Sequence, residues 1–247
     1  MIKFYKKLSK AQVRYKHLYS LSGKARRGEF VLAHHGIQRS GTNYLLACLD
    51  SLNVNVINRF DPARNHPSHK HFRWYQNKEA MPPYVKVEFG NSVCSSSLSE
   101  LNSLAKFPKN TKHIVIKKDV NHAVCSLMNY GLRKNWFANK NQALLNYQML
   151  LNDYRHYYEF WEGLARSSNE VVVVNYEQIS QNSNRLISCL NELGADIPFL
   201  RENLVFSEVR MSPKTRKKVI LIDDLVGLES GTSANSAIEI KTQSFAM

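Results

Sequence analysis

The chain has 247 residues, 43% of them hydrophobic and 22% charged, and a formal net charge of +14. That length and apolar content suit one α/β domain with a real core, and the positive balance calls for anionic partners: nucleic acid, anionic polysaccharide, lipid head groups or a phosphorylated cofactor. Zinc spacing is absent, because Cys48, Cys94, Cys125 and Cys189 stand apart from one another and read as buried free thiols of a reducing compartment.

Residues 1–28 form a basic lead-in (Lys3, Lys6, Lys7, Lys10, Arg14, Lys16) with no long apolar run behind it. That argues against a secretory signal or a transmembrane anchor. The segment reads as an amphipathic helix packing Phe4, Leu8, Val13 and Leu18 on the domain, with at most a peripheral membrane contact.

Next comes a short apolar run, Phe30 to Ala33, then Gly36-Ile37-Gln38-Arg39-Ser40-Gly41-Thr42-Asn43, then a helix-like run from Tyr44 to Leu52. Strand, Gly-bounded turn and helix in that order present backbone N–H groups to an anion. The spacing of Gly36 and Gly41 matches a Walker A loop, but Thr42-Asn43 stands where that loop needs Lys-Ser/Thr. The cation sits earlier, at Arg39, so the loop is built for an anion other than ATP.

A second strand is expected at Val54–Ile57. Residues 58–83 form a long polar and aromatic loop with His66, His69, His71 and the pair Trp74-Tyr75; loops of that length are usually functional or disordered. Tyr84–Phe89 alternates like a strand, and a serine-rich turn after Cys94 leads into a helix ending near Phe107. His113–Ile116 is a buried-type strand closed by Lys117-Lys118-Asp119, and the helix after it carries Ala123, Val124, Leu127 and Met128. Leu144 to Leu164 repeats apolar and aromatic residues at helical spacing, which reads as core packing. Val171–Val174 suits a central parallel strand. A helix capped by Ser183 runs to Leu193, with Gly194 at its end. Val219–Ile222 is expected as a further strand, Asp223-Asp224 as the turn that ends it, and residues 226–247 as a loosely ordered tail. Strands alternating with helices imply an α/β fold, a mainly parallel central sheet flanked by helices.

Two features sharpen the loop into a hypothesis. Lys118 ends a strand, and Ser126 lies eight residues on, about two turns into the following helix. A strand-end cation and a helical hydroxyl suit a second phosphate. Val171–Val174 also runs into Tyr176-Glu177-Gln178-Ile179.

With these residues the chain resembles the sulfotransferases that use 3′-phosphoadenosine 5′-phosphosulfate (PAPS). That family carries a Gly-x-Pro-Arg/Lys-Ser-Gly-Thr-Thr-x-Leu loop, an Arg at a strand end with a Ser eight residues later, and a Tyr-Glu-Asp-Leu after an apolar strand. Here the counterparts are Arg39 to Leu45, Lys118 with Ser126, Tyr176 to Ile179, and Leu193-Gly194, in order over roughly residues 29–200. Gln38 replaces the usual Pro, Asn43 the second Thr, Lys118 the commoner Arg, and Val120 the frequent Pro. The Gly-x-x-Gly-x-Trp-Lys element of the cytosolic branch is missing, so the likeness is to the divergent, microbial-type branch. Lys214, Arg216, Lys217 and Lys218 either supply the missing charge or form a solvated basic run.

The resemblance implies a P-loop, sulfotransferase-like domain over residues 29–225. It implies that Gly36, Gln38, Arg39, Ser40, Gly41, Thr42 and Asn43 bind the 5′-phosphosulfate, with backbone N–H groups from Ser40 to Asn43 on its oxygens. Lys118 and Ser126 would hold the 3′-phosphate, Tyr176 would join the nucleotide site, and Arg39 would stabilise the bridging oxygen. Sulfuryl transfer is in-line, so positioning and electrostatics dominate and no metal is required. The base for the acceptor hydroxyl is His71, beside Lys70, or Glu88, beside Lys86; His71 leads because histidine titrates near neutrality. The expected acceptor is a hydroxyl on an acidic glycan or glycolipid, with a phenol or small alcohol as the alternative. Trp74-Tyr75 is either a sugar-stacking rim or core. A cytoplasmic enzyme is expected, with no specific nucleic acid partner. The rival readings are a P-loop kinase or NTPase, and a non-catalytic polyanion- or nucleotide-binding protein of the same fold.

Overall fold

In the computed structural model, residues 2–60, 62–75, 93–95, 97–200, 219–225 and 228 are described. Helix α1 (Ile2–Arg26) leads into β1 (Leu32–His35) and α2 (Thr42–Ser51). The short strands β2 (Trp74–Tyr75) and β3 (Val93–Cys94) pair with each other, and α3 (Leu98–Ala105) follows. Then come β4 (Lys112–Lys117), α4 (Val120–Arg133), α5 (Lys140–Leu145), α6 (Tyr147–Ser167), β5 (Val171–Asn175), α7 (Tyr176–Gln181) and α8 (Ser183–Glu192).

Among the described residues the main sheet has three strands, all parallel, in the order β1-β4-β5. Helices flank it on both faces, which makes the fold α/β with a small parallel sheet. The two-residue side-chain period of β4 divides the core. Val115 faces a cluster with α4 and α6, while Ile114 and Ile116 face α2 and α8. No helix among the described residues is long and apolar enough to cross a membrane.

Several expectations change. Among the described residues Val171–Val174 lies at the edge of the sheet. The central strand of the three is β4, whose Ile114–Ile116 are fully buried, whereas Val172 and Val173 are only half-buried. The strand expected at Val54–Ile57 shrinks to one bridge, between Leu32 and Val56. The Asn58 side chain takes the next rung: its Oδ1 accepts from His34 N–H (3.0 Å) and its Nδ2 donates to His34 O (2.8 Å). Val219–Ile222 is not a strand. Asn129 replaces a neighbouring strand there, accepting from Val219 and Ile220 N–H at 2.8 and 3.1 Å and donating to Ile220 O at 2.8 Å. Asp223-Asp224 does form a turn, a 3₁₀ segment reaching Leu225, with Asp224 paired to Lys140.

The long apolar repeat is interrupted at Asn146, which ends α5 and opens α6. Its aromatic stripe is core: Tyr147, Tyr154, Tyr157, Tyr158 and Trp161 are all at most 2% exposed. The lead-in helix seats Leu21 and Ala25 rather than Val13, which is 49% exposed; the side chains of Phe4 and Leu8 lie outside those described. Tyr84–Phe89, residues 201–218 and most of 226–247 also lie outside the described residues. Cys48 and Cys125 are buried free thiols and Cys189 is half-buried.

Trp74 and Tyr75, 0% and 1% exposed, are core residues and form no sugar-stacking rim. They are held by a buried charge cluster. Arg73 pairs with Asp153 at 3.0 Å, with side chains 1% and 0% exposed, and Tyr75 Oη donates to Asp153 at 2.6 Å. Burial, followed by the Asp153 charge, pushes the Tyr75 hydroxyl far up, so it stays a donor. Removing one partner of such a pair strands a charge. Asp153→Ala is therefore expected to cost ~3–5 kcal/mol in urea denaturation, and Tyr75→Phe only ~1.5–3 kcal/mol.

Beneath the sheet His35 Nε2 and His113 Nδ1 lie 3.0 Å apart, and His113 Nε2 lies 2.9 Å from Asn102 Oδ1. His35 also stacks on Trp161, with centroids 4.5 Å apart. Burial lowers the pKa of both rings, that of His113 from 6.5 to about 3. The unfolded chain takes up this proton near pH 6.5 and the folded chain does not, so stability rises with pH across that interval. It should be complete above 6.5 and fall as pH drops, by up to ~1.4 kcal/mol per pH unit for His113 alone. Chemical denaturation between pH 6 and 4 should show a slope shallower by about that amount in His113→Gln.

Candidate functional site

The parallel register brings three strand ends to one edge, where α/β sheets bind ligands. β1 opens into the Gly36–Gly41 loop, β4 ends at Lys117-Lys118, and β5 passes into Tyr176 at the start of α7. The loop is a tight turn. Ser40 N–H and Oγ both donate to Ile37 O, at 3.2 and 2.7 Å. Arg39 has φ 68° and Gly41 φ 101°. Gly41 also caps α2 with no side chain to receive the first-turn N–H groups, which leaves those donors at a positive helix end.

Both glycines are required by contact. A Cβ on Gly36 would lie 2.5 Å from Thr42 Cγ2 and 2.7 Å from Ile116 Cγ2. A Cβ on Gly41 would lie 2.6 Å from the Tyr176 ring. Tyr176 covers the loop on that side, and Lys118 Nζ sits 5.2 Å from the same ring centre. On the other side residues 69–71 clasp Gly36: its N–H donates to Lys70 O at 3.0 Å, and His71 Nδ1 lies 2.7 Å from its carbonyl oxygen.

That last contact sets the histidine tautomer. A carbonyl only accepts, so Nδ1 carries the hydrogen and Nε2 of the neutral ring carries the lone pair. Burial holds the His71 pKa well below its ordinary value, against a smaller upward effect of the Gly36 bond. The neighbouring Lys70 is 9% exposed, and its Nζ donates to Asn43 Oδ1 at 2.9 Å. One segment thus delivers a neutral imidazole and an ammonium to the loop.

Arg39 points elsewhere than expected. Its Nε donates to Ser126 Oγ at 3.0 Å, a contact that bridges the loop to α4. The guanidinium is therefore placed for an anion shared with Ser126, and Lys70 is the cation beside the first turn of α2. Ser40 differs too, since its N–H closes the turn; the uncapped donors begin after it. Gln38 is 7% exposed, and its carbonyl oxygen accepts from Tyr154 Oη, so it supports the loop from below. Lys118 N–H donates to Tyr158 Oη at 3.2 Å. Tyr154 and Tyr158 are loop supports that the sequence registers only as part of an apolar stripe. His66 is tied to α1 by Arg14 (3.4 Å) and to Ser68 (2.8 Å). His69 accepts from His71 N–H. Lys86 and Glu88 lie outside the described residues.

Among the described residues, no group of three or more His, Cys, Asp or Glu side chains is placed to hold a metal ion. Comparison of the chain with family models, with curated proteins and with solved structures found no match. The geometry itself makes the next expectation. Gly36→Ala forces a methyl between Thr42 and Ile116; overpacking of this kind costs ~1–3 kcal/mol, readable as a lower Tm in thermal denaturation.

Proposed function

We propose that this protein is a PAPS-dependent sulfotransferase that moves the sulfuryl group to a hydroxyl of a carbohydrate or glycolipid. The observation that carries this reading is the gathering of Arg39 with Ser126, and of Lys70 and His71 with Gly36 and Asn43, at one sheet edge. Two anion positions result, one at the first turn of α2 and one between Arg39 and Ser126. PAPS has two phosphate groups to match them.

In this reading the first-turn N–H groups and Lys70 hold the 5′-phosphosulfate. Arg39, Ser126 and Lys118 hold the 3′-phosphate. The acceptor oxygen attacks sulfur in line; its new S–O bond forms as the bond to the 5′-phosphate oxygen breaks. The acceptor proton passes to His71 Nε2, and the charge left on the departing phosphate falls on Lys70 and the helix end. A neutral imidazole with a fixed tautomer suits that task. The P-loop kinase reading is weaker, because no Lys follows Gly41 to reach a terminal phosphate.

Calorimetry in EDTA tests the reading, with adenosine 3′,5′-bisphosphate expected to bind and ATP expected to be weaker. Absence of heat with the bisphosphate would sink it. Arg39→Ala should weaken the bisphosphate roughly tenfold to a hundredfold, the loss of a charge-assisted bond, and spare adenosine 5′-phosphosulfate. His71→Asn, whose amide can still donate to Gly36 O, should lower kcat by ~10²–10⁴ with little change in bisphosphate affinity.

A further inference from the structure

Beyond Arg39, which holds the 3′-phosphate, the outer end of α4 carries a cluster that the nucleotide does not use. Tyr130 lies one helical turn beyond Ser126, half-buried, its ring braced edge-on by Trp136 with centroids 5.2 Å apart. Three cations surround that ring: Arg39 at 5.6 Å, Arg133 at 5.9 Å and Lys134 at 6.0 Å from its centre. All three cationic side chains are exposed. Among the described residues neither Arg39 nor Lys134 pairs with a carboxylate. Like charges gathered on one ring repel one another, so the cluster gains from an anion that binds among them.

We propose that Arg39, Arg133, Lys134 and Tyr130 form a subsite for an acidic sugar of the acceptor. This deepens the sulfotransferase reading and rests on it for the word acceptor. An aromatic face attracts the sugar's C–H groups, and the cations take its carboxylate or sulfate. Arg39 belongs both to the loop and to this collar, so a sugar held here borders the nucleotide site. A single half-buried ring favours a sugar over a nucleic-acid strand, which needs successive exposed rings on which bases stack.

The test uses the full chain and a fluorescent heparin hexasaccharide, with maltohexaose as the neutral control. The wild type should bind the hexasaccharide and not maltohexaose. Arg133→Ala/Lys134→Ala should weaken hexasaccharide binding by roughly tenfold or more, with its Tm unchanged and adenosine 3′,5′-bisphosphate affinity within about twofold. Arg133→Lys/Lys134→Arg should retain the binding. Unchanged hexasaccharide affinity in the double alanine variant overturns the proposal, and so does no binding to the wild type. A parallel loss of bisphosphate affinity overturns it by making the collar part of the nucleotide site. Tighter binding of single-stranded oligothymidylate, lost in the same variant, overturns it in favour of nucleic acid. Failure of the bisphosphate to bind the wild type, with the hexasaccharide result intact, removes the reaction assigned to the protein and leaves the acidic-sugar subsite standing.

Discussion

Gly36 is clamped on every side, and the candidate site depends on that clamp. Its Cα faces Thr42, Ile116 and Ser40 at distances that admit no Cβ. Its N–H and C=O are both taken by residues 70 and 71. One residue therefore joins β1, β4, α2 and the histidine-containing segment. Because both of its backbone groups bond to residues 70 and 71, the loop cannot move away from that segment without breaking a hydrogen bond. The cost of an unmade buried hydrogen bond, about 1–3 kcal/mol, is what keeps Lys70 and His71 against the loop.

The polar groups beneath the site are arranged by the same logic. His34 is matched by Asn58, His35 by His113, His113 by Asn102, and Arg73 by Asp153. Each is a buried group that needs a partner. Side-chain amides also bond backbone where strand pairing stops: Asn58 takes the His34 backbone groups beside β1, and Asn129 takes those of residues 219–220, which form no strand.

The cations around the loop are held by different partners. Lys70 is directed at α2 and Arg39 at α4, while Lys118 lies over Tyr176. Lys70 and Arg39 thus face different elements. This division suits a ligand with two phosphate groups, and it leaves the far side of Arg39 facing Tyr130.

The α/β class, the order of β1, loop and α2, and the helices α3, α4, α6 and α8 are readable from the chain alone, because those signals are local: side-chain period and glycine spacing. Ser97, Asp119 and Asn182 cap their helices through their own side chains; Asn182 takes the place expected of Ser183, which lies one residue inside α8. The residues of the loop and its partners Lys118, Ser126, Lys70 and His71 were also legible as chemistry. Their pairing was not. Whether Arg39 faces the helix end or Ser126, 87 positions away, depends on how α4 packs against β4. The same holds for β4 rather than β5 at the sheet centre, for Trp74 and Tyr75 in the core, and for Asn129 standing in for a strand at 219–222. Each of these is set by contacts between residues far apart in the chain, whose energy comes from burial and partner matching that no local pattern records.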